Sequence, residues 1–164
     1  MNDSPQKRRN GHILIAVDES DHSFRAVDYV GGLLGDSGHI RITLLSILAA
    51  PPEDLFDSPE ARASWVTDHR RRAEAHLARC EERLLAAGLA NHQVERKLVT
   101  QPCPSIADCI LGEQEKMGCG TVVITRRGIS KKEEFMFGST SNRILHRATN
   151  CAVWVIESDA SENR

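Results

Sequence analysis

Residues 125–143 read TRRGISKKEEFMFGSTSNR, and the residue types are those of an anion site. Gly128 and Gly138 stand on either side of nine intervening residues, and Ser139, Thr140 and Ser141 follow the second glycine. A glycine lets backbone amides close on an anion with no Cβ in the way. A helix starting at Ser139 adds unpaired N–H groups and a partial positive charge at the same place. Each amide-to-phosphate bond contributes about 1.5–3 kcal/mol; three or four, less the ordering cost, suit a nucleotide held in the micromolar range. Arg126, Arg127, Lys131 and Lys132 lie near enough in sequence to neutralise phosphate charge, although Glu133 and Glu134 favour a solvated rim for most of them.

Asp18 is the second candidate. It closes the apolar run HILIAVD, where a carboxylate either accepts hydrogen bonds from a ribose or base edge or caps the turn that follows. Other nucleotide signatures do not occur. No GK[ST] follows the glycines as in a Walker A loop, no GxGxxG follows the first strand, and DESDHS stands where a pyrophosphatase-type SGGxDS loop would be. His69 and His76 are seven residues apart on a helical segment and can share a face, but without a third ligand they read as semi-buried surface residues. His146 reads as a surface residue of the last helix. No base is positioned beside the phosphates, so slow ATP hydrolysis is the most enzymatic activity expected.

Five cysteines, Cys80, Cys103, Cys109, Cys119 and Cys151, form no CxxC pair. Their odd count argues for reduced thiols in a cytoplasm, with neither a disulfide framework nor a zinc site. Cys103, in a loop flanked by Pro102 and Pro104, could react, although packing or no role at all is the better reading of it.

These residues are positioned by alternating elements. HILIAVD (12–18), IRITLLSIL (40–48) and CGTVVIT (119–125) are apolar, β-branched runs of the kind buried on both faces of a parallel sheet, and CAVWVIE (151–157) supplies a fifth strand. NHQVERKLVT (91–100) is a strand whose charges place it at an outer position. Phe24, Val27, Val30 and Leu34 repeat at helical spacing after Ser20 and Asp21, and Gly35 and Gly38 close that helix. A long helix over 61–87 carries Trp65, His69, Ala73, Leu77, Cys80 and Leu84 as one stripe, with Gly88 after its end. Ser105 caps a helix bearing Ile106, Ile110 and Met117, and a last helix spans about 139–149. AAPPEDLFDSPE (49–60) is a long Pro- and Asp-rich connection. The order βαβαβαβαβ predicts an α/β, Rossmann-like, three-layer sandwich around a five-stranded parallel sheet. Ligands of such sheets bind beyond the carboxyl ends of the strands, where strand order reverses.

The chain has 164 residues, 40% hydrophobic and 27% charged, with a formal net charge of −2. One domain over 12–157 is expected, with flexible tails at 1–11 and 158–164 and a core of Val, Ile, Leu and Ala, because aromatics make up only 4%. The charge balance and the single basic cluster Lys7-Arg8-Arg9 make nucleic acid an improbable partner. No apolar run reaches a membrane span, and MNDSPQKRRN has no apolar h-region behind it, so no secretory signal is expected.

The sequence resembles the universal stress protein family over about residues 12 to 157. The resemblance rests on IAVDES, TLLSIL, VVIT followed by GISKKEEFMFGSTSNRIL, and CAVWVI. It implies an adenine nucleotide α-hydrolase-like fold and a homodimeric ATP-binding regulatory module in the stress response, often with magnesium but with no metal ligands assigned in the chain. Asp18 would contact adenosine, and the Ile47 main chain would contact adenine. Gly128 would wrap the phosphates, while Gly138, Ser139 and Thr140 would bind phosphate or ribose oxygens. Val153, Trp154 and Val155 of the last strand would pair with a second copy. Nucleotide-binding members carry glycine where this chain has Thr125. If the backbone there needs positive φ or very close ligand approach, a β-branched residue costs about 1–3 kcal/mol, weakening the site without abolishing it. A nucleotide-free dimeric adaptor is the alternative that substitution favours. Ala152, where the family often has proline, should matter little to the ligand.

Overall fold

A computed structural model of the chain describes residues 11–127 and 139–158. Among these residues the elements are β1 (His12–Ala16), α1 (His22–Leu34), β2 (Arg41–Ile47), α2 (Pro59–Ala86), β3 (Val94–Val99), α3 (Ile106–Met117), β4 (Thr121–Arg127), α4 (Ser139–Arg147) and β5 (Ala152–Ser158). Short 3-10 turns cover Glu53–Leu55 and Asn91–Gln93. Apart from Gly11 and Ser158, the two tails lie outside the described residues, as do Gly128 and Gly138.

The strands form one parallel sheet in the order β3-β2-β1-β4-β5. The chain builds outward from β1 through β2 to β3, then returns to the other side of β1 for β4 and β5. The reversal therefore lies between β1 and β4, the position where such sheets open a crevice. Alternation along β1 divides the core: Ile13 and Ile15 pack toward α1 and α2, and Leu14 packs toward α3 and α4. Because both faces are covered, the central strands tolerate apolar residues at every position, which is why they read as unbroken runs. The charged third strand is indeed an edge, with Glu95 and Arg96 exposed.

Local chemistry sets the helix ends. The hydroxyl of Ser58 accepts from the Ala61 amide at 3.1 Å with Pro59 behind it, and Ser105 does the same for Asp108 at 3.1 Å. Gly118 closes α3 at φ 64, and Gly88 follows α2 at φ 115. At the start of α1, Asp21 occupies the cap position without a side-chain bond to the helix. The ends of α1 and α2 touch closely: a Cβ at Gly35 would lie 2.0 Å from the Ala87 carbonyl oxygen.

Three expectations change. The buried stripe of α2 is Ala73, His76, Leu77, Cys80 and Leu84. Trp65 and His69 do not join the core; they stack on each other, ring centroids 3.6 Å apart, with Phe56 of the preceding connection at the indole edge. His76 is buried, not semi-buried, and stacks on Phe24 at 4.6 Å. Finally, Cys103 and Cys109 form a disulfide, with Cα atoms 5.7 Å apart. The Pro-flanked loop turns back across the first turn of α3, so a spacing that matches no CxxC pattern still closes a ring. Cys80, Cys119 and Cys151 form no disulfide.

Candidate functional site

At the carboxyl edge of the sheet, between β1 and β4, the chain encloses a cavity of about 200 Å³. Its apolar walls are Ile47 at the end of β2, Ile106 and Ile110 in the first turns of α3, and Ile124 in β4. Its polar groups are Asp18 just beyond β1, Thr125 in β4, and Thr140 and Ser141 in the first turn of α4. The strands supply the depth and the two helix starts supply the rim.

Asp18 lies two residues beyond the end of β1 and is held by its own loop. Its Oδ1 accepts from the Ser20 amide at 3.0 Å, from the Ser20 hydroxyl, and from the Ser23 hydroxyl at 2.9 Å. The Asp18 amide donates in turn to the Ser23 oxygen at 2.9 Å. Both sequence readings of this residue meet here: the aspartate shapes the turn, and the turn fixes a carboxylate at the cavity mouth. A preset acceptor costs a ligand no ordering of the protein.

Thr125 stands within β4, in register with Ile156 of β5. Among the described residues only Asn150 is a non-glycine with positive φ. The backbone strain expected for a β-branched residue at this position therefore does not arise. Threonine suits an extended strand, and what it adds is a hydroxyl and a methyl group at the cavity wall.

The two helices at the rim are tied together. Asp108 of α3 receives the Ser105 hydroxyl at 2.7 Å, the Arg143 guanidinium of α4 at 3.1 Å, and that of Arg147. The Ser105 hydrogen bond first, and the two guanidiniums after it, hold the Asp108 carboxyl below its ordinary range. The helix carrying Ile106 and Ile110 is thus clamped to the one carrying Thr140 and Ser141.

A second, larger hollow of about 1000 Å³ lies against α1, α2 and β5. There Arg79 and Arg83 sit over the Phe24 ring at 4.6 and 4.3 Å, and Arg83 pairs with Asp28 at 2.6 Å. Beneath it the His76 imidazole is pushed below its ordinary pKa, by burial first and Arg79 second. Burial also drives the Cys80 thiol up to about 12 and the Cys119 thiol up to about 11, which makes both unreactive.

Of the residues singled out from sequence, Asp18, Ile47, Thr125 and Thr140 converge on the small cavity. Ser139 opens α4 but is exposed and does not line it. Gly128 and Gly138 lie outside the described residues. Arg126 pairs with Glu157 of β5 at 3.1 Å, and His146 is exposed. Ile106, Ile110 and Ile124 are the wall residues that sequence reading assigns to core positions; the available signal was the cap Ser105, since a helix starting at the carboxyl edge presents its first turn to the crevice. Among the described residues no cluster of three or more His, Cys, Asp or Glu is placed to hold a metal, and no helix is long and apolar enough to cross a membrane.

Residues 9–157 match the sequence model described as the universal stress protein family. No curated protein sequence matches the chain. Several solved structures share its fold. One is a protein from the universal stress protein family of Burkholderia pseudomallei, with a TM-score of 0.69 at 21% identity over 92% of this chain and 98% of that one. A second is the universal stress protein from Archaeoglobus fulgidus in complex with dAMP, with a TM-score of 0.64 at 17% identity over 90% of this chain and 98% of that one. A third is a universal stress protein in complex with cAMP, with a TM-score of 0.61 at 19% identity over 88% of this chain and 94% of that one.

Proposed function

The chain belongs to the universal stress protein family, and from that premise we propose that it is an adenine-nucleotide-binding regulatory module, with ATP as the ligand. The observation that carries the reading is the cavity between β1 and β4, where an apolar slot meets a fixed carboxylate and the first turn of α4. A purine suits the isoleucine walls, and Asp18 is set to accept from a ribose hydroxyl or an exocyclic amine. At about 200 Å³ the cavity is smaller than the roughly 300–1,000 Å³ of drug-sized pockets, so it takes the base, and the phosphates extend outward. Thr140 and Ser141, at the amino end of α4, bring hydroxyls and unpaired amides to that outward path. The complexes of two similar structures, one with dAMP and one with cAMP, support this choice of ligand class.

The same reading makes the chain a binding module with at most slow ATP hydrolysis. Asp18 Oδ1 is committed as an acceptor to three donors, which suits positioning better than proton abstraction. Magnesium, where it accompanies ATP, would sit on the phosphates. β5 is an edge strand with half-buried Val153, Trp154 and Val155, and pairing it with a second copy would cover that edge. We place this homodimer in the cytoplasm as a stress-response component.

Calorimetric titration with ATP, AMP and adenosine tests the reading. Binding by all three, tightest with the nucleotides, is expected. Absence of binding by any of them, together with no nucleotide in an acid extract of freshly purified protein, would leave a nucleotide-free adaptor.

A further inference from the structure

The geometry points to Cys103 and Cys109 as a dithiol modification site, oxidised by low-molecular-weight disulfides, whose bridge stiffens one wall of the cavity. The two Cα atoms are 5.7 Å apart, inside the range that a bridge spans without backbone movement. Both residues are half-exposed, so a small disulfide can reach them. They differ in this from Cys80 and Cys119, which are fully buried and held as thiols. Three cysteines outside any disulfide, beside a single bridge, fit a protein whose thiols are ordinarily kept reduced, where a disulfide is more often a reversible signal than a structural staple. The short separation, six positions, also matters: closing so small a ring constrains the unfolded chain little, so the bridge adds little to the stability of the fold and serves poorly as a structural staple.

The ring has functional reach because of what it encloses. Between the two cysteines lie Ser105, the cap of α3, and Ile106, which lines the cavity although it is 43% exposed. Ile110, the next wall residue, follows Cys109 directly. With the bridge closed, the Pro-flanked loop is fastened across the first turn of α3. With it open, that turn keeps the Ser105–Asp108 cap, the arginines of α4 and the core packing of Ala107 and Ile110, but its Pro-flanked loop is untied.

The exchange conserves atoms and electrons. The thiolate of one cysteine attacks a sulfur of the external disulfide RSSR, whose S–S bond breaks and releases one RS⁻. The second cysteine, as thiolate, attacks the resulting mixed disulfide, forming the Cys103–Cys109 bond and releasing the second RS⁻. Two electrons pass from the protein to RSSR, and the two thiol protons end on the released thiols.

The consequence for ligand rests on the nucleotide reading: a pre-stiffened wall spares part of the ordering cost, so the oxidised chain should bind AMP about fivefold more tightly. The test uses the full chain equilibrated in mixtures of reduced and oxidised glutathione. Peptide mass analysis after alkylation is expected to show loss of two hydrogens shared between Cys103 and Cys109, reversed by excess reduced glutathione. Amide exchange over residues 105–112 should slow in the oxidised form, and Cys103→Ser and Cys109→Ser should each abolish that change. Persistence of both thiols in oxidised glutathione, bridging to Cys151, or unchanged exchange over 105–112 would overturn the proposal. Slowed exchange with no AMP binding in either state would support the site and overturn the nucleotide reading instead. Equal AMP affinity in both states, with exchange slowed, would overturn the coupling of the bridge to the cavity.

Discussion

The larger of the two hollows has five times the volume of the smaller one, yet the smaller has the composition of a binding site. The large hollow lies on one face of the sandwich, between two helices and an edge strand. Two of its arginines are already engaged within it: Arg83 pairs with Asp28, and Arg79 and Arg83 cover Phe24. The small cavity lies at the carboxyl edge of the sheet, where the chain reverses direction. Its hydroxyls and its carboxylate come from three separate elements and face an apolar slot. Volume reflects how loosely elements meet, whereas convergence of polar groups on an apolar slot reflects topology. The parallel arrangement puts every strand end and two helix starts at that place.

The comparison breaks most visibly if the large hollow proves essential to ligand. Phe24→Ala removes a side chain only 6% exposed that packs against His76, and should cost about 3–5 kcal/mol of unfolding free energy in a denaturant titration. AMP affinity of the protein that remains folded should stay within about threefold. A large loss of affinity at unchanged folded fraction would move the site to that face.

Thr140→Asp sharpens the contrast from the other side. An acidic residue in the first turn of α4 favours the helix, so stability should hold. Facing phosphate, the same charge should weaken ATP by about 100-fold while leaving adenosine within about threefold. Equal loss for both ligands would mean that the phosphates do not lie at α4.

Acid separates the two regions by stability. His12 is sealed at the opposite end of the sheet: Arg41 donates to its Nδ1 at 2.9 Å, so its Nε2–H donates to Thr43 at 2.9 Å. Burial first, and Arg41 second, push its pKa below the ordinary 6.5, as burial and Arg79 do for His76. The unfolded chain takes up these protons more readily than the folded one. Stability is therefore full above the ordinary value of 6.5 and declines as pH falls below it toward the depressed folded values. Thermal melts between about pH 7.5 and 5.5 should show a loss on the order of 1 kcal/mol, reduced in His76→Phe.

The smallest effect expected is at Thr125. Since its backbone is already extended, Thr125→Gly relieves no positive φ, and AMP affinity should change by less than about threefold. A gain of tenfold or more would show that the methyl group obstructs the ligand.

Strand positions were legible in the sequence because a strand covered on both faces is apolar at most of its positions, whereas the charges of VERKLV suit an edge. Asp18, Ile47, Thr125 and Thr140 were legible as candidates through strand ends and the family resemblance, and all four line the small cavity. The other three isoleucine walls, Ile106, Ile110 and Ile124, were not legible, since an isoleucine facing a cavity and one facing the core obey the same periodicity. His76 falls on the buried face of α2 three positions after Ala73, but a histidine in a run of arginines reads as surface. The Cys103–Cys109 contact depends on how a proline-flanked loop turns back, and spacing does not encode that.

The most direct test labels the isoleucine methyl groups for NMR and titrates the protein with AMP. Ile47, Ile106, Ile110 and Ile124 should shift together, saturably, while Ile156 beside the larger hollow stays in place. Shifts centred on Ile156, with the four cavity isoleucines unmoved, would contradict a site in the small cavity.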